Sequence, residues 1–196
     1  MELRKIAWIL TFCVPSFSAL SPALAAVTPS KPFYAEPVSI PGYIEAFEFD
    51  RGGEGVAYHV MKTPRPQYTS MRVEEKVVLQ SYSGEGGGFM ITRTHQADWV
   101  QFSVEAKTAG DYQFEYGYSM WQRQASSIRV EMENRGVIHE FHVRTDRYSP
   151  VRQWSVGDPI HLEPGTYRLR VSFFTDYRRG SAPDFHSIRV KLLSKK

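Results

Sequence analysis

Alternation with a period of two runs through most of this chain and constrains its fold more than any other feature. In GDYQFEYGYSM, Tyr112, Phe114, Tyr116 and Tyr118 fall on one side, and Gln113, Glu115 and Gly117 on the other. SIRVEME sets Ile128, Val130 and Met132 against Arg129, Glu131 and Glu133. YRLRVSF sets Tyr167, Leu169, Val171 and Phe173 against Arg168, Arg170 and Ser172, and DWVQFSV, VIHEFHV and SIRVKLL behave alike. Successive side chains of a strand point to opposite faces, so such runs are strands with one buried face. Turn chemistry separates them at Thr108–Ala109–Gly110, Glu133–Asn134–Arg135–Gly136 and Glu163–Pro164–Gly165. No segment carries an amphipathic helical pattern. The expectation is an all-β domain of roughly nine or ten short strands, folded as a β-sandwich of two packed antiparallel sheets.

The ends of the chain read differently. Residues 1–25 combine a basic start at Arg4 and Lys5, an apolar stretch, and small residues at Ala23 and Ala25. That is the layout of a secretory signal peptide cleaved near Ala25, and Pro15 and Ser16 break the apolar run short of a membrane span. The expected location is therefore secreted, periplasmic or extracellular, without membrane insertion. Residues 26–41 hold Pro29, Pro32, Pro37 and Pro41 and read as an extended lead-in outside the core. Residues 42–196 form the folded domain.

The only cysteine is Cys13, so a processed chain has no disulfide and must hold together by burial. Processing removes Arg4, Lys5 and Glu2 and lowers the net charge from +3 to +2, too little to imply nucleic acid. Aromatic residues make up 14% of the chain, which favours a ligand-binding face in a secreted protein.

Catalytic patterns are missing. His139 and His142 sit three apart on a strand, hence on opposite faces, and the remaining histidines are scattered. Separate imidazoles, at the surface or hydrogen-bonded, are the expected outcome. There is no HExxH, GxSxG or phosphate-cradling glycine loop, and no pair of acids stands out for glycoside hydrolysis. The expectation is a protein that is not an enzyme.

Several stretches carry more than composition. IPGYIEAFEFDRGGEGVAYH (40–59) and GGGFMITRTHQADWVQFSV (86–104) are followed by AGDYQFEYGYSM, WSVGDPIHLEPGTYRLRVSF and PDFHSIRV. In this order and spacing the chain resembles carbohydrate-binding module family 6 from Pro41 to Leu193. The resemblance implies a jelly-roll sandwich with a sugar-binding cleft built by loops at one end, and often a structural calcium ion. It also implies a non-catalytic partner of a glycoside hydrolase that binds polysaccharide or oligosaccharide. By the same comparison Trp154 matches a packing tryptophan, and we expect Trp99 and Trp154 to be core aromatics.

The departures from the family lie where ligand belongs. Arg93 stands in place of one stacking aromatic and Val151 in place of the other, while Asp184 and His186 fall on two ligand-binding asparagines. For calcium, Glu45 matches one acidic ligand, but Phe47 and Val60 replace two more. The carbohydrate-binding residues expected from this comparison are Arg93, Trp121, Arg123, Tyr177, Arg178 and Asp184, with Glu45 as the candidate metal ligand. Arginine offers a planar fork for carboxylate or sulfate, and Tyr and Trp stack on sugar rings. Those residue types point to acidic polysaccharides. The alternative is a jelly-roll of the cell envelope that has lost sugar binding and serves a structural or protein-interaction role.

Overall fold

The computed structural model describes residues 29–61, 68–84, 86–120, 125–144, 149–175 and 182–195. The expected signal peptide lies outside these residues.

The alternating runs form strands as their period requires, and the described residues contain thirteen of them, more than the nine or ten expected. One six-stranded sheet holds β1 (Val38–Ile40), β3 (Tyr58–His59), β6 (Trp99–Ala106), β8 (Ala125–Met132), β9 (Gly136–Arg144) and β12 (Gly165–Thr175). Its order is β1-β6-β12-β8-β9, with β3 also on β6. The seven-stranded sheet holds β2 (Gly42–Glu45), β4 (Leu79–Ser81), β5 (Phe89–Ile91), β7 (Gly110–Met120), β10 (Ser149–Val156), β11 (Ile160–Leu162) and β13 (Asp184–Lys195). Its order is β10-β7-β13-β5-β4, with β11 also on β7 and β2 on β13. The extra strands are two to four residues long, too short to show a period in the sequence. Among the described residues a 3₁₀ turn spans Ala46–Glu48.

The inward phases meet in one core. Tyr112, Phe114 and Tyr116 of β7 are fully buried, as are Phe102 of β6, Ile128 of β8 and Leu169, Val171 and Phe173 of β12. Phe185 of β13 reaches across from the seven-stranded sheet, its ring 6.3 Å from Phe102 and 6.0 Å from Phe173. Each such side chain contributes roughly 1.5–3 kcal/mol of burial, which holds the sandwich together without a disulfide. His139 points inward from β9 and receives the Tyr116 hydroxyl on Nδ1 at 2.7 Å, while its Nε2 donates to the Asp158 carbonyl at 2.9 Å. His142 faces outward. The two imidazoles are separate, His139 hydrogen-bonded inside and His142 at the surface, as expected.

Two expectations need correction. The lead-in is part of the fold. Ile40 is 2% exposed, β1 pairs with β6, and Lys31 bridges Arg51, because Val38 and Ile40 can bury while the prolines sit between paired residues. The six-stranded sheet is also not wholly antiparallel. β1 runs parallel to β6, since the chain crosses from one sheet to the other between Ile40 and Gly42.

Candidate functional site

Of the expected carbohydrate-binding residues, Arg93 and Asp184 lie among the described residues. Arg93 lies between β5 and β6 with a left-handed φ of 58°, and its guanidinium sits 4.9 Å over the Tyr68 ring. The Ala182 amide donates to the Thr94 carbonyl at 2.8 Å, which sets the Arg93 turn beside the start of β13. Asp184 opens β13 opposite Ser119 and is only 4% exposed. β13 carries a bulge here, and Asp184 is tucked against its neighbour strand. Trp121, Arg123, Tyr177 and Arg178 lie outside the described residues. The strand ends that flank them (Met120, Ala125, Thr175 and Asp184) share one end of the sandwich, since Met120 closes β7 where β13 begins and Thr175 pairs beside Ala125.

Glu45, the candidate calcium ligand, ends β2 opposite Ser187. Burial raises its carboxyl above the ordinary range, against the opposing charge of Arg152. Its backbone amide takes up one oxygen of Glu48 at 2.8 Å. Phe47 turns instead to the rings of Phe33 and Phe89. Among the described residues no three His, Cys, Asp or Glu side chains converge on one point.

A candidate site formed wholly by described residues lies on the outer face of the six-stranded sheet. Here β6, β12 and β8 run side by side, and Arg170 of β12 is registered with Gln101 on one flank and Glu131 on the other. These outward positions floor a recess of about 620 Å³. One wall is the Gly55–Val56 turn; the other is the Glu133–Gly136 turn, with Pro29 and Ser30 crossing nearby. Glycine shapes the first wall: Gly55 has a φ of 79°, and a Cβ on Gly52 would stand 2.8 Å from Val56 Cγ1. In the second wall Asn134 and Gly136 adopt left-handed angles of 63° and 72°, as the turn signal predicts.

The polar groups of this recess are fixed from below. Gln101 Nε2 donates to Ser30 Oγ at 2.6 Å, and Ser30 Oγ donates to buried Asp50 at 2.5 Å. That relay sets the orientation of the Gln101 amide. Arg168 donates to both oxygens of Glu133, at 3.2 and 3.0 Å. Arg170 is exposed, makes no ion pair among the described residues, and lies 4.2 Å over the Trp99 ring.

Trp99 therefore does not belong to the core, contrary to expectation. Val100, Phe102 and Val104 take the inward phase of β6, so Trp99 must point out. Trp154 is displaced in the same way. It sits on the outer face of the seven-stranded sheet with the Arg189 guanidinium 4.4 Å over its ring. The recess residues Gln101, Glu131, Arg168 and Arg170 escape sequence reasoning because each is an ordinary outward polar position. The available signal is the phase of DWVQFSV, which puts a large aromatic on the solvent side.

No family model matches the chain, and no curated protein matches it in sequence. Solved structures match it in shape. The module CBM6cm-2 of Cellvibrio mixtus lichenase 5A, solved with cellotriose, superposes with a TM-score of 0.55 at 13% identity, covering 79% of this chain and 98% of that one. A β-1,3-glucan-binding CBM6 from Bacillus halodurans gives 0.56 at 14% identity, over 80% and 99%. The C-terminal CBM6 of a marine laminarinase from Zobellia galactanivorans gives 0.52 at 13% identity, over 76% and 98%. The chain has the β-sandwich fold of these modules.

Proposed function

We propose that this chain is a secreted, non-catalytic carbohydrate-binding module that favours acidic polysaccharides and holds them in the recess of the six-stranded sheet. The observation that carries the reading is Arg170, a guanidinium that makes no ion pair among the described residues and lies over Trp99 in a recess with fixed polar groups. A sugar presents hydroxyls that suit the Gln101 amide, the Glu131 carboxylate and the Asn134 turn. A carboxylate or sulfate on that sugar suits the planar fork of Arg170. The likeness to modules that include one solved with cellotriose supports a sugar as the ligand class. Glu133 is committed to Arg168, which supports a binding rather than a hydrolytic role. Such a module serves beside a secreted glycoside hydrolase or an envelope protein.

An open recess of this kind supports modest affinity, in the roughly micromolar to millimolar range, about −4 to −8 kcal/mol. Native affinity electrophoresis against a neutral glucan, a uronate polymer and a sulfated polymer tests the reading. The expected result is retardation by the anionic polymers, relieved by salt, with Arg170→Ala weakening it about tenfold as a charge-assisted contact is lost. Retardation by none of the polymers sinks the reading and leaves a jelly-roll that serves as an interaction module.

A further inference from the structure

The opposite face of the sandwich carries a second charged surface, built by strand order rather than by any one segment. β10, β7, β13 and β2 lie side by side, so Trp154, Gly117, Ser187 and Glu45 form one transverse row. Val156, Glu115, Arg189 and Tyr43 form the next. Gly117 has no side chain, and Trp154, Arg152 and Ser187 close over it within van der Waals reach.

Charge is layered here. Glu115 is 4% exposed, and Arg189 and Lys191 both bridge to it from above. Their own side chains remain 43% and 50% exposed. Burial works to raise the Glu115 carboxyl, but the bonds and charges of Lys191 and Arg189 outweigh it and hold it below the ordinary range. Two cations thus face solvent over one covered anion. Arg152 adds a third, hydrogen-bonded to Tyr43 Oη at 2.8 Å and the Gly87 carbonyl at 2.9 Å, with the half-buried Glu45 carboxyl of the same row beside it, so three cations face two carboxyls here. Tyr43, at 39% exposed, and Trp154 supply flat aromatic surface between these charges.

We propose that this face of the seven-stranded sheet is a second binding surface for an anionic polysaccharide, used independently of the recess, so that one molecule bridges two polymer chains. The complementary ligand is a flexible polyanion whose repeated carboxylates or sulfates meet Arg189, Lys191 and Arg152 while its sugar rings lie against Trp154 and Tyr43. The recess and this face lie on opposite outer surfaces of the sandwich, so one chain segment cannot occupy both.

The test uses the purified protein with polygalacturonate as the uronate probe and dextran sulfate as the sulfated one. Acetylation of lysines, read by mass spectrometry, is compared with and without each polymer. Lys191 is expected to be protected severalfold while Lys76, exposed beside Tyr58 at the other end of the sandwich, keeps its rate. Protection by one polymer alone identifies sulfate or uronate as the preferred group. Light scattering should rise and fall again with the protein-to-polymer ratio, as bridging requires, and Lys191→Gln should abolish that rise while retardation at the recess persists. Lys191→Gln leaves the Arg189–Glu115 pair in place, so the fold is retained; a thermal midpoint close to wild type verifies it. Arg170→Ala must leave Lys191 protection intact, which separates failure of the recess reading from failure of this one. Unaltered Lys191 acetylation at saturating polymer overturns the proposal.

Discussion

The two outer faces of the sandwich start from the same materials and end differently. Each presents a tryptophan with an arginine stacked on it, Arg170 over Trp99 and Arg189 over Trp154. On the six-stranded sheet the other arginines pair singly with acids, Arg129 with Glu140 and Arg168 with Glu133, and a recess stays open between the turns. On the seven-stranded sheet two cations converge on one covered carboxylate, and Gly117 lets Trp154 and Arg152 fill the space above β7. Beneath the first face lies Asp50, which accepts from Ser30 Oγ and from both the amide and hydroxyl of Ser103. Beneath the second lies His186, fully buried, with Nε2 bonded to Ser119 and Nδ1 unpartnered among the described residues. One face shows an open cup in which Arg170 makes no ion pair among the described residues; the other shows a filled plate with paired cations over a poorly satisfied imidazole.

The largest expected effect comes from that imidazole. Burial first, and then the nearby Arg152 charge, lowers its pKa from 6.5 to about 3. The unfolded chain takes up a proton below pH 6.5 where the folded chain does not, so stability falls as pH drops from 6.5 towards 3. At pH 4 the loss is on the order of 3 kcal/mol. His139, also lowered by burial, acts in the same direction from within the core. His186→Asn should therefore reduce, not abolish, the fall in urea midpoint between pH 7 and pH 4. An identical fall in variant and wild type would mean that His186 is protonated freely and that the plate is not sealed above it.

Gly117→Ala is the next test, because it attacks the feature that makes the plate flat. The added Cβ would stand 3.0 Å from Ser187 Oγ and 3.3 Å from both Arg152 Cδ and Trp154 Cη2. Those neighbours have to shift, at a cost of about 1–3 kcal/mol. Differential scanning calorimetry should show a drop of about 2–4 °C per kcal/mol for a domain of this size. Polymer binding through Arg170 should be untouched. A variant as stable as wild type would mean that Trp154 rides above the sheet and can swing aside, which would erase the contrast between plate and cup.

Much of the fold is legible in the sequence and little of the two faces is. Tyr112, Phe114 and Tyr116, or Leu169, Val171 and Phe173, announce the core because burial imposes the strand period on them directly. Trp99 was readable too, since its phase opposes Val100 and Phe102, but the size of an indole pulls the eye towards the core. The short strands β1 to β5 were not, because pairing at a sheet edge needs only two or three residues. The faces depend on which strands become neighbours. Nothing local in the sequence tells that Tyr43 donates to Ser187 across 144 residues, or that Arg152 meets Tyr43 across 109. Arg170 and Lys191 look alike as outward residues on a strand, and only their partners tell them apart.

The smallest expected effect completes the comparison from the other side. Arg129 meets Glu140 through two contacts of 3.2 Å, with side chains 37% and 32% exposed, and its guanidinium lies 4.8 Å from the Phe174 ring. An ion pair this open to water contributes roughly 0.2–1 kcal/mol, and salt screens it. Arg129→Ala should shift the urea midpoint slightly at low salt and scarcely at all at high salt. Lys191→Gln leaves covered Glu115 with one cation rather than two, so the small shift it causes in the urea midpoint should persist at high salt, where that of Arg129→Ala fades. If Arg129→Ala were the salt-resistant one of the two, its pairing would be structural, and the six-stranded face would be held by its charges rather than merely covered by them.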